Sequence, residues 1–126
     1  MTPKDIRKKI LVVDDDRIVL RILESRLVEN GYAVTVSEQA AECLQIAFKK
    51  RPDLIILDVM MPIINGYNFC KLVKSEIKNP SIPIIFLTSR VEAEDKLIGY
   101  EMGADAYLTK PVEMTALLAK IKELIG

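Results

Sequence analysis

Leu54-Ile55-Ile56-Leu57 is an unbroken apolar run that stops at a carboxylate, Asp58. A run this short and this uniformly apolar suits a strand buried on both faces, which means a parallel sheet covered by helices on both sides. Such a strand delivers Asp58 to its C-terminal end, the edge of an open α/β sheet where ligands bind. Ile10-Leu11-Val12-Val13 repeats the pattern and ends in Asp14-Asp15-Asp16. If the two strands are neighbours, at least three carboxylates meet at one edge.

The rest of the chain alternates strand and helix patterns. A strand over about Lys9 to Val13 leads to a helix running to about Asn30, capped by Asp15 or Asp16. Val19, Leu23 and Leu27 recur on one face with Ile22 beside them, and Asn30-Gly31 ends the helix. Ala33 to Ser37 alternates like a half-exposed edge strand. Ser37 is expected to cap a second helix whose apolar stripe is Ala40, Cys43, Leu44, Ala47 and Phe48. Lys49-Lys50-Arg51 suits that helix's last turn, and Pro52 stops it. After the strand Leu54 to Asp58 come a loop from Val59 to Gly66 and a third helix with Phe69, Leu72 and Val73 inward. A fourth strand, Ile84 to Leu87, ends at Thr88-Ser89. A fourth helix covers about Glu92 to Met102, with Gly99 in its middle and Gly103 at its end. A short fifth strand, Ala106 to Thr109, leads to Lys110-Pro111 and a last helix from about Glu113, with Met114, Leu117, Leu118, Ile121 and Ile125 inward.

Alternating units with short connections imply a (βα)₅ doubly wound parallel sheet with right-handed crossovers. The three strongly apolar strands belong in the centre and the other two at the edges. Strand order 2-1-3-4-5 satisfies this and puts the first and third strands side by side at the switch point.

Length and composition narrow the function classes. At 126 residues the chain is expected to be one domain, residues 1–126 with a core of about 9–125. Its apolar runs are far shorter than the ~20 residues of a membrane span, and the polar N-terminus has no signal-peptide pattern. Eighteen basic residues balance eighteen acidic ones, so the net charge gives no footprint for nucleic acid. Cys43 and Cys70 fall at apolar phases of helices, and two cysteines with no histidine do not make a zinc site. The chain reads as cytoplasmic, with neither a membrane nor nucleic acid as partner.

The acidic edge carries the chemistry. Carboxylates ~4 Å apart repel by about 4 kcal/mol at an effective dielectric of 20, so the cluster calls for a cation or a shared proton. A small hard cation such as Mg²⁺ binds one or two carboxylates together with phosphate oxygens. Val59-Met60-Met61-Pro62 is no helix start, which leaves Asp58 free to act as a nucleophile toward a phosphoryl group. The fourth strand brings the Thr88 hydroxyl to the same edge, and the fifth brings the Lys110 ammonium. Four of five strands thus end in a residue type that cation-assisted phosphoryl chemistry needs.

Leu11 to Asp16, Ile56 to Pro62, Leu87-Thr88-Ser89 and Gly103 to Pro111, in this order and spacing, resemble the receiver domain of two-component response regulators. The resemblance covers about residues 9 to 125. It implies a flavodoxin-like phosphoacceptor domain. Asp58 would take the phosphoryl group. Asp15 would ligate Mg²⁺ (with Mn²⁺ as a substitute) directly, Asp14 would act nearby through water, and the Met60 carbonyl would complete the protein ligands. Lys110 would contact the phosphoryl group, and Thr88 would move toward it with Tyr107 turning inward as the aromatic switch. Lys110-Pro111 would be a cis peptide. The donor would be a sensor histidine kinase or a phosphotransfer protein. The face formed by the fourth helix, fifth strand and fifth helix, with Lys96, Glu101, Asp105 and Lys120, would bind a downstream protein or a second copy. Two details depart from or vary within the pattern. Asn65-Gly66 stands where Asp-Gly is frequent, and Met60 and Arg90 occupy positions that tune dephosphorylation.

A phosphatase of the haloacid-dehalogenase type needs a general acid two residues after its nucleophile. Met60 stands there, and no capping insertion is present. A degenerate receiver is disfavoured because every functional position holds a competent residue. No G-x-G-x-x-G or Walker pattern supports nucleotide binding.

Overall fold

The protein is described by a computed structural model covering residues 7–39, 42, 45–46, 49–58, 82–88, 105–110 and 112–126, with the Thr88 side chain outside that set. The sheet contains β1 (Lys9–Val13), β2 (Ala33–Ser37), β3 (Leu54–Asp58), β4 (Ile84–Thr88) and β5 (Ala106–Thr109). All pairings are parallel and the order is β2-β1-β3-β4-β5. The expected strands, topology and edge positions are therefore found. The stripe of the expected second helix, the loop 59–66 and the expected third and fourth helices lie outside the described residues, as does Pro111 and with it the expected cis peptide.

Burial explains the order. Every residue of β3 is buried and Leu54 to Leu57 are fully so, whereas β2 is half-buried along most of its length, as an edge strand should be. Alternate strand residues face α1 (Arg17–Glu29) and the C-terminal helix (Met114–Ile125). Ile10, Val12, Leu54, Ile56, Ile85, Leu87 and Ala106 form one core with Leu20, Leu23 and Leu27 of α1 and Leu117 and Ile121 of the C-terminal helix. Each fully buried aliphatic side chain contributes roughly 1.5–3 kcal/mol of transfer free energy.

α1 differs from expectation in one respect. Leu20 is buried at 5% exposure, while Ile22 is 53% exposed. At 100° per residue Leu20, Leu23 and Leu27 share a stripe, and Ile22 lies a full 100° away from Leu23. Asp16, not Asp15, caps this helix, accepting from the amides of Ile18 (2.9 Å) and Val19 (3.4 Å). Asn30 follows as C-cap, and Gly31 takes the left-handed φ of +93° that ends it.

The expected cap at Ser37 is not formed as written. Its hydroxyl closes a local turn with the amide and carbonyl of Gln39 (both 3.3 Å), and residues 38 and 39 are not helical. Among the described residues that follow, 42, 45–46 and 49–50 are helical. Arg51 lies past the last turn with φ +45°, directly before Pro52.

The opposite, N-terminal end of the sheet is fastened by two aspartate brackets. Asp53 accepts from the Lys9 amide (2.7 Å) while its own amide donates to the Lys9 carbonyl (2.8 Å). Asp105 and Ile84 make the same reciprocal pair (2.9 and 2.8 Å). Asp105 is thus engaged with the first amide of β4 and is not merely a surface charge for partners.

Candidate functional site

Register and parity bring the site together. Val13 pairs with Leu57, so Asp14 stands level with Asp58 at the C-terminal edge. Asp14 continues the Ile10, Val12 face, Asp58 the Leu54, Ile56 face and Lys110 the Ala106, Leu108 face, and these are one side of the sheet. The Lys110 stem reaches back across the ends of β4 and β3 to both carboxylates. Beside it lies an apolar hollow of about 200 Å³ lined by Val19, Ile22, Leu23, Val112 and Met114.

Asp14 has no exposed surface, Asp58 is 6% exposed, and Asp15 faces solvent. One carboxylate oxygen from each lies within 4.8 Å of the others. Asp16 does not join them because its carboxylate serves the helix cap. Asp14 Oδ1 accepts from the Asp16 amide at 2.9 Å, which holds the acidic loop in shape. The Asp14 amide in turn donates to the Ser37 carbonyl at 3.2 Å, tying this loop to the end of β2.

Lys110 Nζ lies 2.7 Å from Asp14 Oδ2 and 3.5 Å from Asp58 Oδ2. The first contact is a close ion pair to a buried carboxylate oxygen. Burial acts to lower the Lys110 pKa. Asp14 first and Asp58 second outweigh it, leaving the ammonium raised above its ordinary value.

This donor set fits a small divalent cation. It offers one hard oxygen from each of three carboxylates, all within 4.8 Å of one another, and two of the three residues are buried. Asp15 is the exposed member of the three. Met60 and Arg90 lie outside the described residues, as does the Thr88 side chain, although the Thr88 backbone ends β4 at this edge. Tyr107 is buried, on the other side of the sheet, edge-on to Phe86 with ring centroids 6.1 Å apart. The sequence brings Lys110 to the same edge as Asp58, toward the phosphoryl group. Its shorter contact is with Asp14, a pairing for which the shared parity of residues 14, 58 and 110 is the signal.

Residues 10–122 match the family model described as "Response regulator receiver domain". The chain belongs to the response regulator receiver domain family. Among similar sequences, the alkaline phosphatase synthesis transcriptional regulatory protein PhoP of Bacillus subtilis is 38% identical over 120 residues, covering 95% of this chain and 49% of PhoP. The response regulator MprA of Mycobacterium sp. (strain KMS) is 39% identical over 117 residues, covering 93% of this chain and 50% of MprA. This receiver therefore spans about half the length of the curated relatives it matches. Among solved structures, the Vibrio cholerae chemotaxis protein CheY4 superposes with a TM-score of 0.88 at 33% identity, covering 94% of this chain and 98% of that one. The BeF3-activated N-terminal receiver domain of Klebsiella pneumoniae RstA superposes with a TM-score of 0.86 at 27% identity, covering 94% and 98%. The receiver fold places this chain in two-component signalling. Among the described residues no helix is long and apolar enough to cross a membrane.

Proposed function

We propose that residues 1–126 form a single receiver domain that accepts a phosphoryl group on Asp58 from a phosphohistidine, and that the resulting charge switches a partner-binding face. The observation that carries this reading is the convergence of Asp14, Asp15 and Asp58 within 4.8 Å of one another, with the Lys110 ammonium 3.5 Å from Asp58. An Asp58 oxygen attacks phosphorus, a P–O bond forms, and the P–N bond to the donor imidazole breaks. Asp15, Asp58 and the Met60 carbonyl, with Asp14 nearby, would hold Mg²⁺ (or Mn²⁺ as a substitute), and the ion would supply charge neutralisation between the anionic nucleophile and the anionic donor. Lys110 then has a phosphoryl oxygen to bind in addition to its carboxylates, and the Thr88 hydroxyl offers a second donor. Slow attack by water on the acyl phosphate returns Asp58 and inorganic phosphate. The domain is a signalling switch, not a turnover enzyme.

A phosphoryl group adds charge and three acceptor oxygens. Recruiting Thr88 and Lys110 to them displaces the segment after β4, with Tyr107 as the aromatic that follows. The face comprising the expected fourth helix, β5 and the C-terminal helix is where a downstream protein or a second copy would read the change. The donor is a sensor histidine kinase or phosphotransfer protein in the cytoplasm. In support of a protein donor, Ile18 (71% exposed) and Ile22 (53% exposed) form an apolar strip on α1 beside the hollow that holds Lys110.

Intact mass after incubation with acetyl phosphate tests the chemistry. A gain of one phosphoryl group is expected in wild type with Mg²⁺, and none without Mg²⁺ or in Asp58→Asn. An adduct retained by Asp58→Asn would overturn the assignment of the acceptor.

A further inference from the structure

We propose that Asp16, the third acid of the run, is a positioning residue for the cation site: by capping α1 it fixes the turn that presents Asp14 and Asp15. This role rests on the cation-assisted reading of the site given above. Asp16 itself stays out of the carboxylate cluster, because its side chain is turned to the helix.

Asp16 stands where the acidic loop becomes helix, and it is tied on both sides. On the helix side its carboxylate accepts from the amides of Ile18 (2.9 Å) and Val19 (3.4 Å), and its carbonyl accepts from the Leu20 amide (3.0 Å). The Ile18 and Val19 amides are first-turn donors with no partner inside the helix. The helix is in turn seated in the core through Leu20, Leu23 and Leu27. On the loop side the Asp16 amide donates to Asp14 Oδ1 at 2.9 Å. A side chain that accepts from the amide two residues on closes an Asx turn, and Asp15 is the middle residue of this one.

The two oxygens of Asp14 thereby have separate partners. Oδ1 takes the Asp16 amide, and Oδ2 lies 2.7 Å from Lys110 Nζ. The Asp14 amide is held from the opposite side by the Ser37 carbonyl at 3.2 Å. Asp14 is thus anchored to β2 and Asp16 to α1, and Asp15 is carried between two fixed points. Oxygens of Asp14, Asp15 and Asp58 lie within 4.8 Å of one another, and the first two of these residues belong to the turn. Groups that orient ligands in this way sustain much of a metal site's affinity. Without the cap, the Asp16 amide is no longer tied to the helix through its side chain, and a cation must order the loop as it binds.

Asp16 is exposed, and a carboxylate next to Asp15 also adds to the local negative potential, so cap and charge must be separated. Asparagine caps about as well as aspartate and carries no charge, whereas alanine lacks both properties. Isothermal titration calorimetry of the whole chain with MgCl₂ at neutral pH reads the dissociation constant. Asp16→Ala is expected to raise it at least about threefold, but less than the tenfold or more of an orienting partner lost outright, because the backbone amide remains. Asp16→Asn is expected to stay within about twofold of wild type. Leu27→Val removes buried volume at the far end of the same helix, lowers the unfolding temperature without touching the turn, and should also stay within about twofold. Thermal unfolding checks that each variant is folded during the titration. If Asp16→Ala is not, Asp16→Gly removes the same carboxylate at a smaller cost in stability and is held to the same expectation. An Asp16→Ala affinity equal to that of wild type would show that the cap serves the helix alone. Asp16→Asn as weak as Asp16→Ala would show that charge is at work, and an equal loss in Leu27→Val would show a general effect of stability. Each of these overturns the proposal. If wild type takes up no Mg²⁺, the cation site and the positioning role fall together; if wild type binds and the variants do not differ, only the positioning role falls.

Discussion

Lys110 is the residue on which the site's electrostatics turn. Without it, the buried Asp14 and Asp58 would lose the ammonium that both of them face, and breaking a fully buried pair costs about 3–5 kcal/mol. The Lys110 side chain is 23% exposed, so Lys110→Met is expected to cost less, about 2–3 kcal/mol in metal-free buffer, measured by urea unfolding. Excess Mg²⁺ should restore most of the loss. A variant as stable as wild type without metal would mean the ion pair contributes little. Because the Lys110 pKa is raised, its contribution is complete below the ordinary value of 10.5 and is lost only as pH rises past the raised value. The deficit of the variant should therefore be flat between about pH 6 and 9. Arg51 gives a second prediction. Relieving its left-handed strain with Arg51→Gly should raise stability by about 0.5 kcal/mol after the entropy of glycine in the unfolded chain is offset, whereas Arg51→Val should lower it by more than about 1 kcal/mol. If Gly and Val behave alike, the position is not strained. The sequence exposed residues 14, 58 and 110 readily, because each follows a strand and all three share one parity. It did not expose the strain at Arg51, since Pro52 signals a stop but not the backbone angle through which the stop is reached.

At the scale of elements, both helices facing the shared core are started by acids. Asp16 caps α1, and Glu113 caps the C-terminal helix by accepting from the amides of Thr115 (3.2 Å) and Ala116 (2.9 Å). These hydrogen bonds to the ionised form hold the Glu113 pKa below its ordinary 4.5. The stabilisation is therefore present above 4.5 and fades as pH falls through the lowered value. Glu113→Ala is expected to unfold at a lower temperature than wild type at neutral pH, with the gap closing in acid. A gap that persists unchanged in acid would show that the carboxylate charge is not what caps the helix. The sequence pattern found the strands almost residue by residue, because uniformly apolar runs with polar ends leave little choice of boundary. It did less well with α1, where a helix with Val19, Leu20, Ile22, Leu23 and Leu27 has more apolar residues than one face can bury, and only the packing against Ile10, Val12 and the C-terminal helix decides that Leu20 goes in and Ile22 stays out. That surplus has a use in the proposed function. Replacing Ile18 and Ile22 with Asp should slow phosphoryl transfer from a phosphohistidine protein while leaving labelling by acetyl phosphate unchanged. Equal loss with both donors would place the defect in the site itself.

For the whole molecule, the balanced composition hides a chain polarised along its strands, with Asp14, Asp15 and Asp58 at one end of the sheet and Arg7-Lys8-Lys9 and Lys49-Lys50-Arg51 at the other. At the acidic end, among the described residues, Lys110 is the ammonium paired with Asp14 and Asp58, and the clustered carboxylates repel one another. A ligand that binds the folded chain and not the unfolded one must stabilise it. At a free Mg²⁺ concentration ten times its dissociation constant the gain is about 1.4 kcal/mol. Thermal unfolding in rising Mg²⁺ should thus show a midpoint that climbs without saturating sharply, whereas an equal ionic strength of a monovalent salt should raise it much less. Asp58→Asn separates the two contributions. Removing one charge relieves repulsion, so the variant should be at least as stable as wild type in metal-free buffer, yet it should gain less from Mg²⁺ because one of its ligands has lost its charge. A variant that is less stable without metal and gains as much with it would mean that Asp58 is part of the scaffold and that the cation sits elsewhere, and the phosphoacceptor reading would fail with it.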